Sequence, residues 1–269
     1  MASPPLLLAG LTLAFALIGG LLPIFSSIKE DAERLRRITG IAAGIILASA
    51  MLVVIPEGFE LTRGASMQPF LLGGAILAGF LLMLVLEGSG IGHAIHEEHH
   101  EHDEEHGHGH IHHGPGGWML VLGLSLHAAT DGLAIGAAAA SGGVAVTAAV
   151  AIAVLIHKAP AAFSLGVFSL HERADRNASI RDVVIFSLAT PIMILLSFQA
   201  LTGVQDHLIG LAMLFSAGIF LYVATVDTLP DMHNPETGRK ALQNVLIGAA
   251  LLTAIMLGAD AAGLIEHGL

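Results

Sequence analysis

The chain has 269 residues, of which 54% are hydrophobic and only 12% are charged; with its 32 glycines included, about two-thirds of the chain is apolar. A soluble domain is roughly 45–50% apolar, so this composition argues against a soluble domain and more strongly against disorder. The absence of cysteine excludes disulfides and thiolate chemistry, and eleven basic residues under a net charge of −11 leave no nucleic-acid-binding surface.

Eight apolar runs are long enough to cross a bilayer as helices, which takes about 20 residues. Backbone polar groups in lipid need partners within their own segment, so we expect these runs to be helical. The sequence therefore predicts an all-α fold, a polytopic membrane protein with eight transmembrane helices. The predicted spans are 5–25, 38–57, 68–87, 118–140, 144–169, 183–201, 208–226 and 241–258.

Lysine and arginine in the connections predict the orientation of the chain, because cytoplasmic loops carry an excess of them. Nine lie in the connections after the first, fifth and seventh spans, whereas Arg63 alone lies on the opposite side. We therefore expect both termini outside and the odd-numbered loops in the cytoplasm, in an integral protein of the plasma (inner) membrane. The eleventh basic residue, Lys158, lies inside the fifth span.

The connection between the third and fourth spans has an unusual composition. Ten of the sixteen histidines lie between His93 and His113, interleaved with six acids. Imidazole mixed with carboxylate suits weak capture of Zn²⁺-like cations, although a solvated acidic linker would look similar. We divide the chain into membrane helices one to three at 1–92, a cytoplasmic histidine-rich loop at 93–116, and membrane helices four to eight at 117–269. The candidate capturing residues are His99, His100, His102, His106, His108, His110 and His112.

The fourth span places two ionisable side chains near the middle of the membrane. His127 and Asp131 are four residues apart and therefore project from one face of a helix. Ionisable groups at this depth are costly and mark functional sites, and an imidazole with a carboxylate supplies half of a divalent-metal site. The alternative is a structural hydrogen bond between the two side chains that braces neighbouring helices.

The fifth span adds His157 and Lys158 at a similar depth, followed by Pro160. Proline frees carbonyls one turn earlier, and an interrupted helix beside ionisable groups is a common way to build an ion site in transporters. We expect His157 to be the third metal ligand rather than a packing histidine. Lys158 has two interpretations: it pairs with Asp131 and releases it when metal binds, or it permanently takes the place of a second cation, which we favour.

Two further acids lie at opposite ends of their spans. Glu57 ends the second span on the expected outer side, and Asp227 ends the seventh on the expected inner side. Both are candidates for guiding a cation in and out, although acids at helix ends are also ordinary interfacial residues. Gly132 and Gly136 form a small-xxx-small pair, which favours close helix packing.

These positions together resemble the ZIP (Zrt-, Irt-like protein) family of divalent metal transporters over nearly the whole chain. His-x-x-x-Asp-Gly at 127–132 resembles the signature of the fourth helix, and His157-Lys158-Ala159-Pro160 resembles that of the fifth. The segment 217–223, continuing to Asp227 and Pro230, is similar to the seventh helix of the family. The histidine-rich third loop and the eight spans agree with the same resemblance.

The resemblance implies two inverted three-helix repeats with the fourth and fifth helices between them, a metal site shared by those two helices, often a homodimer, and transport toward the cytoplasm. The chain departs from many members at Ala128, Lys158 and Ala161, where the family commonly has Asn, an acid and a further ligand. The two-metal centre is therefore expected to be reduced to one site, with Lys158 as the substitute for the second cation.

The main hypothesis is a carrier of Zn²⁺ or a similar divalent ion through His127, Asp131 and His157. The metal is the transported substrate rather than a cofactor, the partners are this ion and the lipid bilayer, and no enzyme activity is expected. Neutral imidazoles are needed to bind the ion, so transport should fall below a pH of about 6.5 unless the pKa values of these histidines are shifted. The alternatives are a metal-responsive membrane receptor or scaffold with little transport, and a metal-dependent intramembrane hydrolase.

Overall fold

The computed structural model describes residues 4–26, 32–89, 117–173, 175–227 and 238–262. All regular secondary structure within these ranges is helical, and eight helices are long and apolar enough to cross a membrane. The predicted all-α fold with eight spans is therefore confirmed. In chain order the spans are Pro4–Phe25, Ala32–Arg63, Pro69–Gly88, Gly117–Ala140, Val144–Arg173, Arg176–Leu201, Asp206–Asp227 and Gly238–Ala261.

Several helices extend beyond the apolar runs from which they were predicted. The second span begins at Ala32 instead of residue 38, and the sixth begins at Arg176 instead of residue 183. The start of the sixth span is fixed by Asp175, whose side chain accepts a hydrogen bond from the backbone N–H of Asn177 at 3.0 Å. An apolar run marks only the part of a helix that lipid covers, so the polar first turns of these helices were not predicted.

The eight helices pack as two groups of four. The site-bearing group consists of the first, fourth, fifth and sixth spans, in which the fourth packs on the sixth and the first packs on the fifth and the sixth. The flanking group consists of the second, third, seventh and eighth spans, in which the second packs on the eighth and the third on the seventh. The second span also meets the fifth, and the fourth meets the seventh, so the groups touch mainly along two helix pairs.

These pairings have the symmetry that two inverted three-helix repeats require. Let the first span be exchanged with the sixth, the second with the seventh, the third with the eighth, and the fourth with the fifth. Each main helix pair then becomes another pair that is also observed. Glycines make the corresponding contacts in the flanking group. Gly44 lies against Val245 and Gly248 lies against Ile41, while Gly79 and Gly218 play the same reciprocal role between the third and seventh spans. Close helix approach through small residues is typical of membrane interiors.

The helices are interrupted at places other than the one we predicted. The fifth span is continuous α-helix through Pro160, so the expected break there is wrong, although Pro160 still leaves the carbonyl of Ile156 without its usual donor. The second span instead contains a π-helical turn at Ala50–Val54, and the seventh ends in one at Val223–Asp227. The two turns occupy corresponding places in the two repeats. The turn in the second span contacts the seventh span, and the turn in the seventh span contacts the second.

Candidate metal centre

Three predicted ligands converge between the fourth and fifth spans. The Nε2 atom of His127 lies 3.8 Å from one carboxylate oxygen of Asp131, and the Nε2 atom of His157 lies 3.3 Å from the other. One ligand atom from each residue can be chosen so that all lie within 4.8 Å of one another. A tetrahedral zinc site with bonds of about 2.1 Å holds its ligand atoms about 3.4 Å apart, so the three side chains would move closer together to hold one ion.

The backbone of the fifth span sets the orientation of the His157 ring. Its Nδ1 atom lies 3.0 Å from the carbonyl oxygen of Ala153, one turn earlier in the same helix. A carbonyl only accepts hydrogen bonds, so Nδ1 must carry the proton and donate it. In a neutral ring the Nε2 lone pair then faces a carboxylate oxygen, and a cation between the two atoms would make this contact favourable. Metal-binding histidines are commonly held by such a bond from the other ring nitrogen.

Buried polar atoms at the centre still have unused bonding capacity. The Nδ1 atom of His127 and the Oδ1 atom of Asp131 are buried and have no hydrogen-bond partner among the described residues. The Asp131 side chain is fully buried, and His127 and His157 are nearly so. Unsatisfied buried polar atoms cost free energy, and a bound cation would offset that cost. The residues present therefore suit a divalent ion with N and O ligands.

Lys158 lies inside this centre and not beside it. Its side chain is 1% exposed, and its Nζ atom is 3.4 Å from the same Asp131 oxygen that faces His157. The ammonium also lies over the ring of Phe186, 4.5 Å from its centroid. The contact with Asp131 that one of our two interpretations requires is present. Which interpretation describes the metal-bound protein stays a prediction.

The sixth span holds the backbone of the fourth span in place behind the ligands. The hydroxyl of Thr190 donates to the carbonyl of Ala128 at 2.7 Å, and Ser197 donates to that of Gly132 at 3.3 Å. Gly132 and Gly136 lie directly against the sixth span, where a side chain at either position would collide with it. These glycines therefore serve packing, and Ala128 is fully buried in the same contact.

The other predicted residues do not join this cluster in the described part of the chain. Glu57 is partly buried in the helix Ile55–Arg63, directly after the first π-helical turn. Asp227 ends the second π-helical turn, and its side chain lies outside the described residues. The candidate loop histidines, and the whole loop at 93–116, also lie outside them. The roles of all these residues stay predictions.

A buried charge network at the expected cytoplasmic ends of the fourth, fifth and sixth spans was not anticipated. Asp182 is fully buried and accepts hydrogen bonds from Ser169 and Arg173, both at 2.8 Å, while Arg181 contacts it at 3.4 Å. Both arginines also lie over the ring of Trp118. In the sequence these arginines served only to predict the orientation of the chain. Nothing in the sequence distinguished Asp182 from an ordinary acidic residue in a loop.

Comparison with known proteins identifies the family. A protein-family model described as "ZIP Zinc transporter" matches residues 88–256, which is more than half of the chain. The chain is 30% identical to zinc transporter ZIP9 of Xenopus tropicalis, with 89% of this chain and 90% of the relative covered. It is 32% identical to zinc transporter ZIP9 of Micropogonias undulatus, with 80% of each chain covered. A shorter match to zinc transporter ZIP9 of Macaca fascicularis has 40% identity over 50% of this chain and 63% of the relative.

These matches confirm the resemblance seen in the sequence, and they confirm the prediction that the chain is not an enzyme. The chain belongs to the ZIP family of zinc transporters, which are integral membrane proteins.

Proposed function

We propose that the protein carries Zn²⁺, or a similar divalent transition-metal ion, across the membrane toward the cytoplasm. The ion binds as substrate to one site formed by His127, Asp131 and His157. The observation that carries this proposal is the arrangement around Asp131, where two imidazole nitrogens face the two oxygens of one fully buried carboxylate. One of these oxygens, Oδ1, is buried without a hydrogen-bond partner among the described residues, and a bound cation would satisfy it.

A single site follows from the residues beside the ligands. Lys158 places a positive charge 3.4 Å from Asp131, where a second metal ion would otherwise share the carboxylate. Ala128 and Ala161 stand where many family members have side chains with ligand atoms, and a methyl group offers none. We therefore propose that Lys158 substitutes for the second cation and that one ion is carried at a time.

The two helix groups supply a physical route for the ion. Both ligand-bearing helices belong to the site-bearing group, and that group touches the flanking group through two helix pairs. Buried residues of a cluster shared by these pairs are small or purely apolar, as at Ala149, Val150, Val53 and Ala217. Apolar surfaces without interlocking hydrogen bonds allow shear motion. We propose that the site-bearing group shifts against the flanking group and exposes the site to each side in turn.

The remaining predicted residues belong to the ends of this route. Glu57 would attract the ion on the outer side, and Asp227 would accept it on the inner side before release toward the histidine-rich loop. Carboxylates on such paths keep a divalent ion partly coordinated while it loses or regains water. Substitution of either residue is therefore expected to reduce the rate of transport more than the affinity of the central site.

The test is Zn²⁺ entry into proteoliposomes that contain a fluorescent chelator. We expect His127→Ala to abolish entry, while His171→Ala, a histidine at the exposed end of the fifth span, leaves it unchanged as a matched control. Undiminished entry with His127→Ala would refute the site assignment. Zn²⁺ binding without entry of Zn²⁺, Mn²⁺, Fe²⁺ or Cd²⁺ would favour a metal-responsive receptor instead.

A further inference from the structure

We propose that Phe186 is a positioning residue for the ammonium of Lys158, and that it raises the affinity of the site for a divalent ion by drawing that ammonium away from Asp131. This inference deepens the proposed function and rests on the same metal site. It assigns a role in metal binding to an aromatic residue that offers no ligand atom.

The geometry shows an ammonium divided between two partners. The Nζ atom of Lys158 is 3.4 Å from Asp131 Oδ2 and 4.5 Å from the centroid of the Phe186 ring. A charge-assisted N–H···O bond is usually about 2.7–2.9 Å long, so the ammonium has not moved fully onto the carboxylate. A cation within about 6 Å of an aromatic face is attracted by the negative charge of that face.

The position of the ring is fixed by its surroundings. Phe186 is fully buried on the sixth span, in an apolar cluster that includes Ala128, Ala162 and Leu165. Lys158 has a flexible stem of four methylene groups, so the ammonium can move while the ring stays. With 1% of its side chain exposed, Lys158 is shielded from solvent by the described residues around it.

A divalent ion and the ammonium compete for the same oxygen. The Asp131 oxygen near Lys158 also faces the Nε2 atom of His157, so an ion held by His157 and Asp131 moves the ammonium off Oδ2 and toward the ring, where its charge still takes the place of a second cation. The ring provides the alternative location for the displaced charge. A cation–π contact in a desolvated setting is worth enough to change affinity by about 2- to 30-fold, and loss of the ring should weaken metal binding by that factor.

The experiment measures equilibrium Zn²⁺ binding by the full chain in detergent, by titration against a fluorescent Zn²⁺ chelator. Phe186→Leu removes the ring, and pentafluorophenylalanine at position 186 keeps its shape but removes the negative face. Both are compared in the native background and together with Lys158→Met. Phe220→Leu is the matched control, because Phe220 is equally buried but belongs to a different apolar cluster.

We expect both changes at position 186 to raise the Kd for Zn²⁺ by about 2- to 30-fold when Lys158 is present, and by less than about twofold with Lys158→Met. A purely structural role would give equal effects in both backgrounds, and that result would overturn the inference, as would an unchanged Kd in the native background. His127→Ala in the same titration separates the two proposals. If it abolishes binding while position 186 shows no coupling to Lys158, only the inference about Phe186 fails.

Discussion

Replacing Lys158 by methionine is expected to make the stability of the protein depend on bound metal. The side chains of Lys158 and Asp131 are 1% and 0% exposed and lie 3.4 Å apart. Removing one member of a buried pair leaves an uncompensated charge and costs about 3–5 kcal/mol. At about 2–4 °C per kcal/mol for a chain of this size, the midpoint of thermal unfolding should fall by roughly 6–20 °C in metal-free buffer.

Zinc should restore most of the stability lost in this variant. A cation bound to Asp131 replaces the missing ammonium, and Zn²⁺ at about 100 times its Kd stabilises the native state by about 2.7 kcal/mol. The assay is thermal unfolding in detergent with a chelator and with added Zn²⁺. We expect the difference between the two conditions to be several degrees larger for Lys158→Met than for the native chain.

An exposed ion pair provides the control for this prediction. Lys240 contacts Glu33 at 2.7 Å, with side chains that are 70% and 79% exposed, and such surface pairs contribute about 0–1 kcal/mol. Lys240→Met should therefore change the midpoint little and show no response to Zn²⁺ beyond that of the native chain. If Lys158→Met is as stable as Lys240→Met in metal-free buffer, the buried ion pair of Lys158 and Asp131 does not contribute the stability predicted for it.

Two further predictions concern the packing of the helices and the orientation of the chain. Gly218→Ala should destabilise the protein by about 1–3 kcal/mol, because a methyl group there collides with the backbone of Ile76; Gly10→Ala, where a methyl group meets no described atom within 4 Å, should have little effect in the same unfolding assay. Because the chain lacks cysteine, Gln68→Cys should react with an impermeant maleimide on intact cells whereas Asn177→Cys should not, and the opposite pattern would reverse the predicted orientation.

The sequence predicted the spans well because lipid imposes a strict requirement on each of them. A run of about 20 apolar residues has few alternatives to a membrane helix, so all eight were found. The start of the second span was misplaced by six residues because its first turns contain charged residues outside the apolar run. The π-helical turns at Ala50–Val54 and Val223–Asp227 were missed because their residue types do not distinguish a π-helical turn from an α-helical one.

The metal centre was predicted to the extent that its ligands are unusual for their depth. His127, Asp131 and His157 stood out because ionisable groups rarely occur in mid-membrane, and the structure places them together. Phe186 could not be found in this way, because a phenylalanine in an apolar span looks like any other core residue. Its contact with Lys158 depends on how the sixth span packs against the fifth, and the sequence does not encode that register in any local pattern.

A binding site that contains its own cation suits a carrier better than a receptor. A divalent ion at Asp131 lies close to the ammonium of Lys158, and like charges repel strongly where water is excluded. The site also offers three protein ligands, whereas structural zinc sites close the coordination shell with four. Both features limit affinity and favour release of the ion, which every transport cycle requires, while a receptor that signals the presence of metal gains from retaining it. The buried lysine therefore supports transport as the function of this centre, because its charge weakens the binding of the divalent ion beside it.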